Sequence, residues 1–331
     1  MYVRDIGEQG LLKIVKKYCP PDVVGDDAAV VDCPADRALV VTTDMLVEGC
    51  HFSDRTTPPE AAGWRAVAAN LSDLAAMGAS PLGITAALGI TGETPVAWVE
   101  GFYRGMADCL DRFRTPIVGG DLCRSPVNSV SITAFGAVSP DRVIRRTGAK
   151  PGWMIIATGV HGDSRGGLEL LLNSDVGESL SEPERRSLIF AHQYPRPRLD
   201  VLPVLEKLWE ADPNLIVAGM DSSDGLADAI VQVAQACGVG ARIDTRHLPT
   251  SDALKKLVSS QQAMKWTLYG GEDFELVLFL PPAPGQQLVA ELKAGAIVVG
   301  MTTAEPDIIL TGEGESEIET PLTLSEGFQH F

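Results

Sequence analysis

Apolar residues recur along this chain in two rhythms. In "RALVVTTDML" (37–46) a β-branched run closes on polar residues, which predicts a strand. In "PEAAGWRAVAANLSDLAAMGA" (59–79), Trp64, Val67, Ala68, Leu71, Leu74 and Ala75 return at helical spacing and Gly78 supplies a stop, which predicts a helix. A second helix is expected over "PVAWVEGFYRGMADCLDRF" (95–113), and the N-terminal "MYVRDIGEQGLLKIVKKYCPP" reads as a short amphipathic helix rather than a signal-peptide core. "TPIVGGD" and "VSITAFGAV" look like strands. "RTGAKPGW" (146–153) is turn-rich and precedes a new strand, "MIIATG", so it marks the expected boundary between domains 1–148 and 149–331. Beyond it, "VHGDSRGG" leads into the helix "LELLLN". A strand and helix follow in "LIVAGMDSSDGLADAIVQVAQACG", then a loop and strand in "WTLYGGEDFELVLFLP". Helices mixed with adjacent strands predict an α+β fold, or α/β with mixed sheets.

Composition narrows the class. The 331 residues are 45% hydrophobic and 21% charged, an ordinary soluble composition for two domains. No apolar run reaches the roughly 18 residues of a membrane span. The net charge of −17 argues against nucleic acid or an anionic membrane as the main partner, and suits cations or an anion held through cations. The six cysteines have no C-x-x-C pair and read as reduced thiols of a cytoplasmic protein.

The acids then acquire a pattern. "GDDAA" (Asp26, Asp27), "TTDMLVEG" (Asp44, Glu48), "NLSD" (Asp73), "VGGD" (Asp121), "DSSDGLAD" (Asp221, Asp224, Asp228) and "GGED" (Glu272, Asp273) each set a carboxylate after a glycine or hydroxyl residue at the edge of an apolar element. Any one has a plain reading: Asp224 as a residue of a helix's first turn, Asp121 as a turn residue. Asp73 is harder to read that way, because it lies mid-helix with Asn70 at i−3 and Ala66, Ala69 and Met77 along its stripe. Asp221, Asp224 and Asp228, if on one helix face, repel unless a cation lies between them. Hard oxygen donors without His or Cys suit Mg²⁺, which takes one or two carboxylates plus waters and substrate phosphates. The acids would then hold Mg²⁺, and the ions a polyphosphate.

The usual nucleotide motifs are absent: there is no G-x-x-x-x-G-K-[ST] and no protein-kinase set. "TGVHGDSRGG" (158–167) reads as a tight strand-to-helix turn, or as an anion cradle at a helix N-terminus. His51 is either structural or, following the second acidic segment closely, part of the site. Phosphoryl transfer needs mainly positioning and charge neutralisation, and a phosphate acceptor needs no general base.

Taken together, "GDDAAV", "TTDMLVEGCHF", "ANLSDLAAMGA", "GGDLCR", "RRTGAKPG", "DSSDGLAD" and "GGEDFEL" resemble the thiamine-monophosphate kinase family, of the aminoimidazole ribonucleotide synthetase superfamily, in order and spacing. The resemblance implies an N-terminal α/β domain for ATP and Mg²⁺, whose sheet pairs with a second subunit's in a dimeric β-barrel, and a C-terminal α+β domain. It implies ATP plus thiamine monophosphate giving ADP and thiamine diphosphate by in-line transfer with several Mg²⁺ ions. By position, Asp27, Asp44, Asp73, Asp121, Asp221 and Asp224 match Mg²⁺ carboxylates, with Thr42 and Thr43 beside them as ligands. Arg146 matches the phosphate-contacting arginine, and Tyr103, Gly120 and Ser223 match nucleotide contacts. His51, Glu272 and Phe328 match thiamine-phosphate contacts: a carboxylate suits an aminopyrimidine, an aromatic face a thiazolium. Two departures stand out. "GGDLC" places Leu122 and Cys123 where many relatives carry hydroxyls, and Ser222 stands where an aliphatic residue is common. The alternatives are another ATP-using ligase or synthetase of the superfamily, or a non-enzymatic Mg²⁺–nucleotide binder.

Overall fold

The computed structural model describes residues 1–20, 29–173, 175–312, 319–324 and 327. The chain divides into two compact units, one of Met1–Leu74 with Ala79–Pro140, the other of Ala75–Gly78 with Asp141–Phe331. Residues 141–148 group with the second unit. Arg145 O there accepts the Gly219 amide at 2.9 Å, and Arg146 O accepts the Cys237 thiol at 3.3 Å.

The first unit contains α1 (Val3–Val15), β1 (Ala38–Val47), α2 (Pro59–Ala76), β2 (Ser80–Ile90), α3 (Val96–Arg112), β3 (Ile117–Arg124) and β4 (Ser129–Val138). Its four strands run in the order β1-β4-β2-β3. β4 is antiparallel to both neighbours, and β2 is parallel to β3. Strand alternation sorts the two faces. Ile84, Ala86 and Leu88 of β2 and Val130 and Ile132 of β4 are buried, with Trp98 and Phe102 of α3 opposite Leu88 and Val130. The other face is open, and on β1 it exposes Leu39 (54%), Val41 (55%) and Met45 (56%). No barrel closes among the described residues of the chain: the sheet ends at β1 and β3. Small residues set the spacing between α2 and α3. A methyl on Gly63 would lie 1.9 Å from Phe102 O, and one on Gly105 1.8 Å from Glu60 O, so both positions demand glycine.

The second unit contains β5 (Met154–Thr158), α4 (Asp163–Leu172), α5 (Glu182–Gln193), α6 (Leu202–Ala211), β6 (Ala218–Asp221), α7 (Leu226–Cys237), β7 (Gly240–Asp244), α8 (Asp252–Leu257), α9 (Ser260–Tyr269), β8 (Leu276–Leu280), α10 (Pro282–Leu292), β9 (Ala296–Thr303), β10 (Ile308–Thr311) and β11 (Thr320–Pro321). Its seven-stranded mixed sheet has the order β11-β10-β7-β9-β5-β8-β6. β8, "LVLFL", is buried at every position, as a central strand covered on both faces must be. Phe279, Ile155, Val299 and Ile243 of the sheet pack with Leu226, Ile230 and Val233 of α7 in one core. The expected strands and helices of the opening reading are present. The loop expected at "WTLYGGED" begins late, because Trp266–Tyr269 finish α9.

Candidate active site

In the first unit Thr42, Asp73 and the Asp44 backbone come together where β1 meets α2. The Thr42 hydroxyl donates to Asp73 Oδ2. Asn70, one turn earlier on α2 and fully buried, accepts the Asp44 backbone N–H at 3.2 Å and donates to Ala66 O at 3.0 Å. Asn70 thus occupies the edge N–H of β1 and sets the strand against the helix. Thr42 and Asp44 share one face by parity. Thr43 points to the other, where its hydroxyl donates to Ile132 O at 2.9 Å and lies 3.4 Å from Ser131 Oγ. Asp121 is exposed on β3, paired in register with Ala87, which is paired with Ser131, which is paired with Met45. That row lies on the open face with Thr43. Gly120 is required by backbone proximity: a methyl there would lie 2.2 Å from Ala86 O.

His51 Nδ1 accepts the Val47 N–H at 3.0 Å, which leaves Nε2 as the protonated ring nitrogen. Tyr103 is 4% exposed, its ring 5.6 Å from Tyr18 and edge-on to Phe102. It therefore packs in the core of α3, and burial raises its hydroxyl pKa. Asp27 and Phe328 lie outside the described residues.

The second unit joins two acidic loops. Asp221 closes β6, is 5% exposed, and accepts the Ser223 hydroxyl at 3.2 Å. The Glu272 N–H donates to Ser223 O at 2.7 Å, and Glu272 holds a left-handed φ of 68°. The helix-face reading of Asp221, Asp224 and Asp228 is corrected here. α7 starts only at Leu226, so Asp221 and Asp224 stand on the loop before it. Asp228, on the helix, accepts Gln232 Nε2 at 2.6 Å. Burial raises the Asp228 carboxyl pKa, Asp224 adds to the rise, and Gln232 and Arg146 oppose it.

The glycine-rich 158–167 segment is filled from within. Asp273 accepts the amides of Gly162 (2.6 Å) and Ser164 (2.9 Å) at the N-terminus of α4, the position an external anion would take. Burial still pushes its carboxyl well above the ordinary range. Asp273 therefore clamps the loop that carries Glu272. His192 Nδ1 approaches Glu272 Oε2 at 3.9 Å and Ser164 Oγ at 3.2 Å.

Behind "DSSDG" lies a buried polar layer. The Ser222 hydroxyl donates to Glu275 O at 3.2 Å, so it accepts from His161 Nε2 at 3.0 Å. Burial, with Arg198 adding to it, depresses the His161 pKa to about 3 from an ordinary 6.5. A depressed histidine costs stability as pH falls: below about 6.5 the unfolded chain takes up a proton that the folded chain refuses until about pH 3. His161→Gln is therefore expected to melt progressively higher relative to the parent as pH drops from 7 to 4. A melting difference constant over that range would remove the histidine from the account.

Asp73 with the Thr42 hydroxyl, and Asp221 with the Ser223 hydroxyl, present hard oxygen donors. Among the described residues no three His, Cys, Asp or Glu side chains converge as a self-sufficient metal cage. One or two carboxylates with a hydroxyl, open to phosphate and water, fit Mg²⁺.

The family models named AIR synthase related protein, N-terminal domain, and AIR synthase related protein, C-terminal domain, match residues 25–138 and 150–313. A thiamine-monophosphate kinase of Synechococcus elongatus is 49% identical over 328 residues, 99% of this chain and 97% of that one. The chain belongs to the thiamine-monophosphate kinase family. Among solved structures, the thiamine-monophosphate kinase of Stenotrophomonas maltophilia K279a superposes with a TM-score of 0.80 at 31% identity, covering 93% of this chain and 98% of that one. AaThiL complexed with AMPPCP and TMP gives a TM-score of 0.75 at 31% identity, covering 100% and 99%. Within this thiamine-monophosphate kinase fold, the departure at Ser222 has a use: its hydroxyl is the acceptor that buried His161 requires. Leu122 and Cys123 follow Asp121 on the edge strand β3, where Leu122 is half-buried and Cys123 exposed. The opening reading assigned no role to Asn70 or Gln232, and grouped Asp273 with the Mg²⁺ acids, whereas it caps the N-terminus of α4. The available signals were one-turn spacings, Asn70 to Asp73 and Asp228 to Gln232.

Proposed function

We propose that this chain transfers the γ-phosphoryl group of ATP directly to thiamine monophosphate, giving ADP and thiamine diphosphate, in the cytoplasm and with Mg²⁺. The observation that carries the reading is the 2.7 Å hydrogen bond from Glu272 N–H to Ser223 O. It ties the residue matched to the thiamine phosphate to the residue matched to ATP, so donor and acceptor sites share one rigid loop pair. In this reading Arg146 pairs with phosphate oxygens and stabilises the charge of the transfer. Asp44, Asp73, Thr42 and Asp121 serve Mg²⁺ and nucleotide in the first unit, an ATP- and Mg²⁺-binding domain. Asp221, Ser223 and Asp224 do so in the second. His51, through Nε2–H, and Glu272 contact the thiamine phosphate. Bound Mg²⁺ would neutralise and orient the phosphates.

The working unit in this reading is a homodimer. Asp44 and Asp121 stand on opposite edge strands, three spacings or about 14 Å apart. One chain therefore does not bring them to a single ion. If two copies close a barrel, the exposed edge strands β1 and β3 both gain partners. The exposed Leu39, Val41 and Met45 would then face the barrel's interior.

Glu272→Gln tests the acceptor side. Loss of a charged hydrogen bond, about 1.5–3 kcal/mol, is expected to raise KM for thiamine monophosphate roughly ten- to hundredfold while leaving KM for ATP near the parent value. An unchanged KM for thiamine monophosphate would remove Glu272 from that site.

A further inference from the structure

Arg146 is tethered in a way that phosphate contact alone does not explain. Its main chain is fixed at the C-terminal end of α7, where the Cys237 thiol donates to Arg146 O at 3.3 Å and accepts the Ala149 N–H at 3.3 Å. From there the side chain runs back along the helix. Arg146 Nη1 donates to Gln232 Oε1 at 2.5 Å, and Gln232 Nε2 donates to Asp228 Oδ2 at 2.6 Å. A guanidinium only donates and a carboxylate only accepts, so the Gln232 amide has one possible orientation. Gln232 and Asp228 are one turn apart on α7 and both half-buried. The residues immediately before α7 are Asp221, Ser223 and Asp224.

We propose that Gln232, backed by Asp228, is a positioning residue that holds the Arg146 guanidinium at the middle of α7, one turn beyond Asp228, ready for the phosphates of the nucleoside triphosphate. This rests on the reading of Arg146 as the phosphate-contacting arginine. An untethered arginine loses its rotamer freedom when it meets a phosphate, whereas one already fixed by Gln232 has lost it beforehand. Glutamine suits the relay better than a carboxylate, because it holds the arginine without neutralising the charge that the phosphate needs.

The experiment is a kinetic cycle on the full-length protein with ATP, Mg²⁺ and thiamine monophosphate. It uses Gln232→Leu, Gln232→Met, Arg146→Lys and the double variants, with thermal melting alongside. Both Gln232 variants are expected to lower kcat/KM for ATP about tenfold, the effect of one lost charge-assisted hydrogen bond, with KM for thiamine monophosphate and the melting temperature little changed. In the Arg146→Lys background the same substitutions are expected to cost little more. Parental kinetics in both Gln232 variants, or the same fold-loss with lysine at 146, would overturn the positioning role. If Arg146→Lys itself left the kinetics unchanged, the phosphate-contact reading would fall first, and the relay with it.

Discussion

Asp73→Asn is expected to reduce kcat/KM by about a thousandfold while leaving the fold intact. Asp73 is the carboxylate at which the first unit's candidate ligands meet, with Thr42 donating to its Oδ2 and Asn70, one turn away on α2, holding the Asp44 strand in place. An amide keeps the shape and an acceptor for Thr42, but removes the charge that holds a divalent cation. Metal-assisted charge stabilisation is worth several kcal/mol, and about 4 kcal/mol corresponds to a factor of roughly a thousand. Steady-state rates with the circular dichroism spectrum as a folding control decide it. Activity within threefold of the parent would mean that the ions are held elsewhere.

The largest effect on stability is expected at Arg198. Its side chain is 6% exposed, Glu275 beside it 14%, and they pair at 2.5 Å, with Asp200 closing on the guanidinium at 2.9 Å. Burial alone would lower the Arg198 pKa, but Glu275 and Asp200 outweigh it and the net shift is upward. Burial leaves the Glu275 carboxyl above its ordinary range even with Arg198 opposing. Such a pair is costly to bury and costlier to break, because the survivor is an unpaired buried charge. Arg198→Ala is expected to cost about 3–5 kcal/mol in urea unfolding, and adding Glu275→Gln to restore part of it. A loss under about 0.5 kcal/mol would contradict the structural role. The effect reaches the site, because Ser222 N–H donates to Glu275 O at 2.8 Å. The Pro-rich "HQYPRPRLD" (192–200) thus supplies the arginine that supports the "DSSDG" loop.

What could be read from the chain follows the range of the interactions. β1 and α2 announce themselves because their apolar spacing is local. β2 does not: "SPLGITAALGI" carries Pro81, Gly83 and Gly89 and few β-branched residues, and its place between β4 and β3 comes from non-local pairing. The separation of Thr42 from Thr43 follows from the two-residue period of a strand. The burial of Tyr103 follows from its place with Val99, Phe102 and Met106 on the apolar stripe of α3. The union of Thr42 with Asp73, 31 residues apart, depends on how a strand packs on a helix, and local pattern carries no trace of it. Asp273 shared the spacing of the other acids, yet the chain spends it on its own helix terminus.

The central claim is phosphoryl transfer from ATP to thiamine monophosphate. The most direct test is ³¹P analysis of the products after mixing the protein with ATP, Mg²⁺ and thiamine monophosphate, beside a metal-free sample and one with Asp44→Asn. The account predicts ADP and thiamine diphosphate in equal amounts, and neither in the two controls. ATP left intact, or hydrolysed to ADP without a thiamine diphosphate signal, would contradict it.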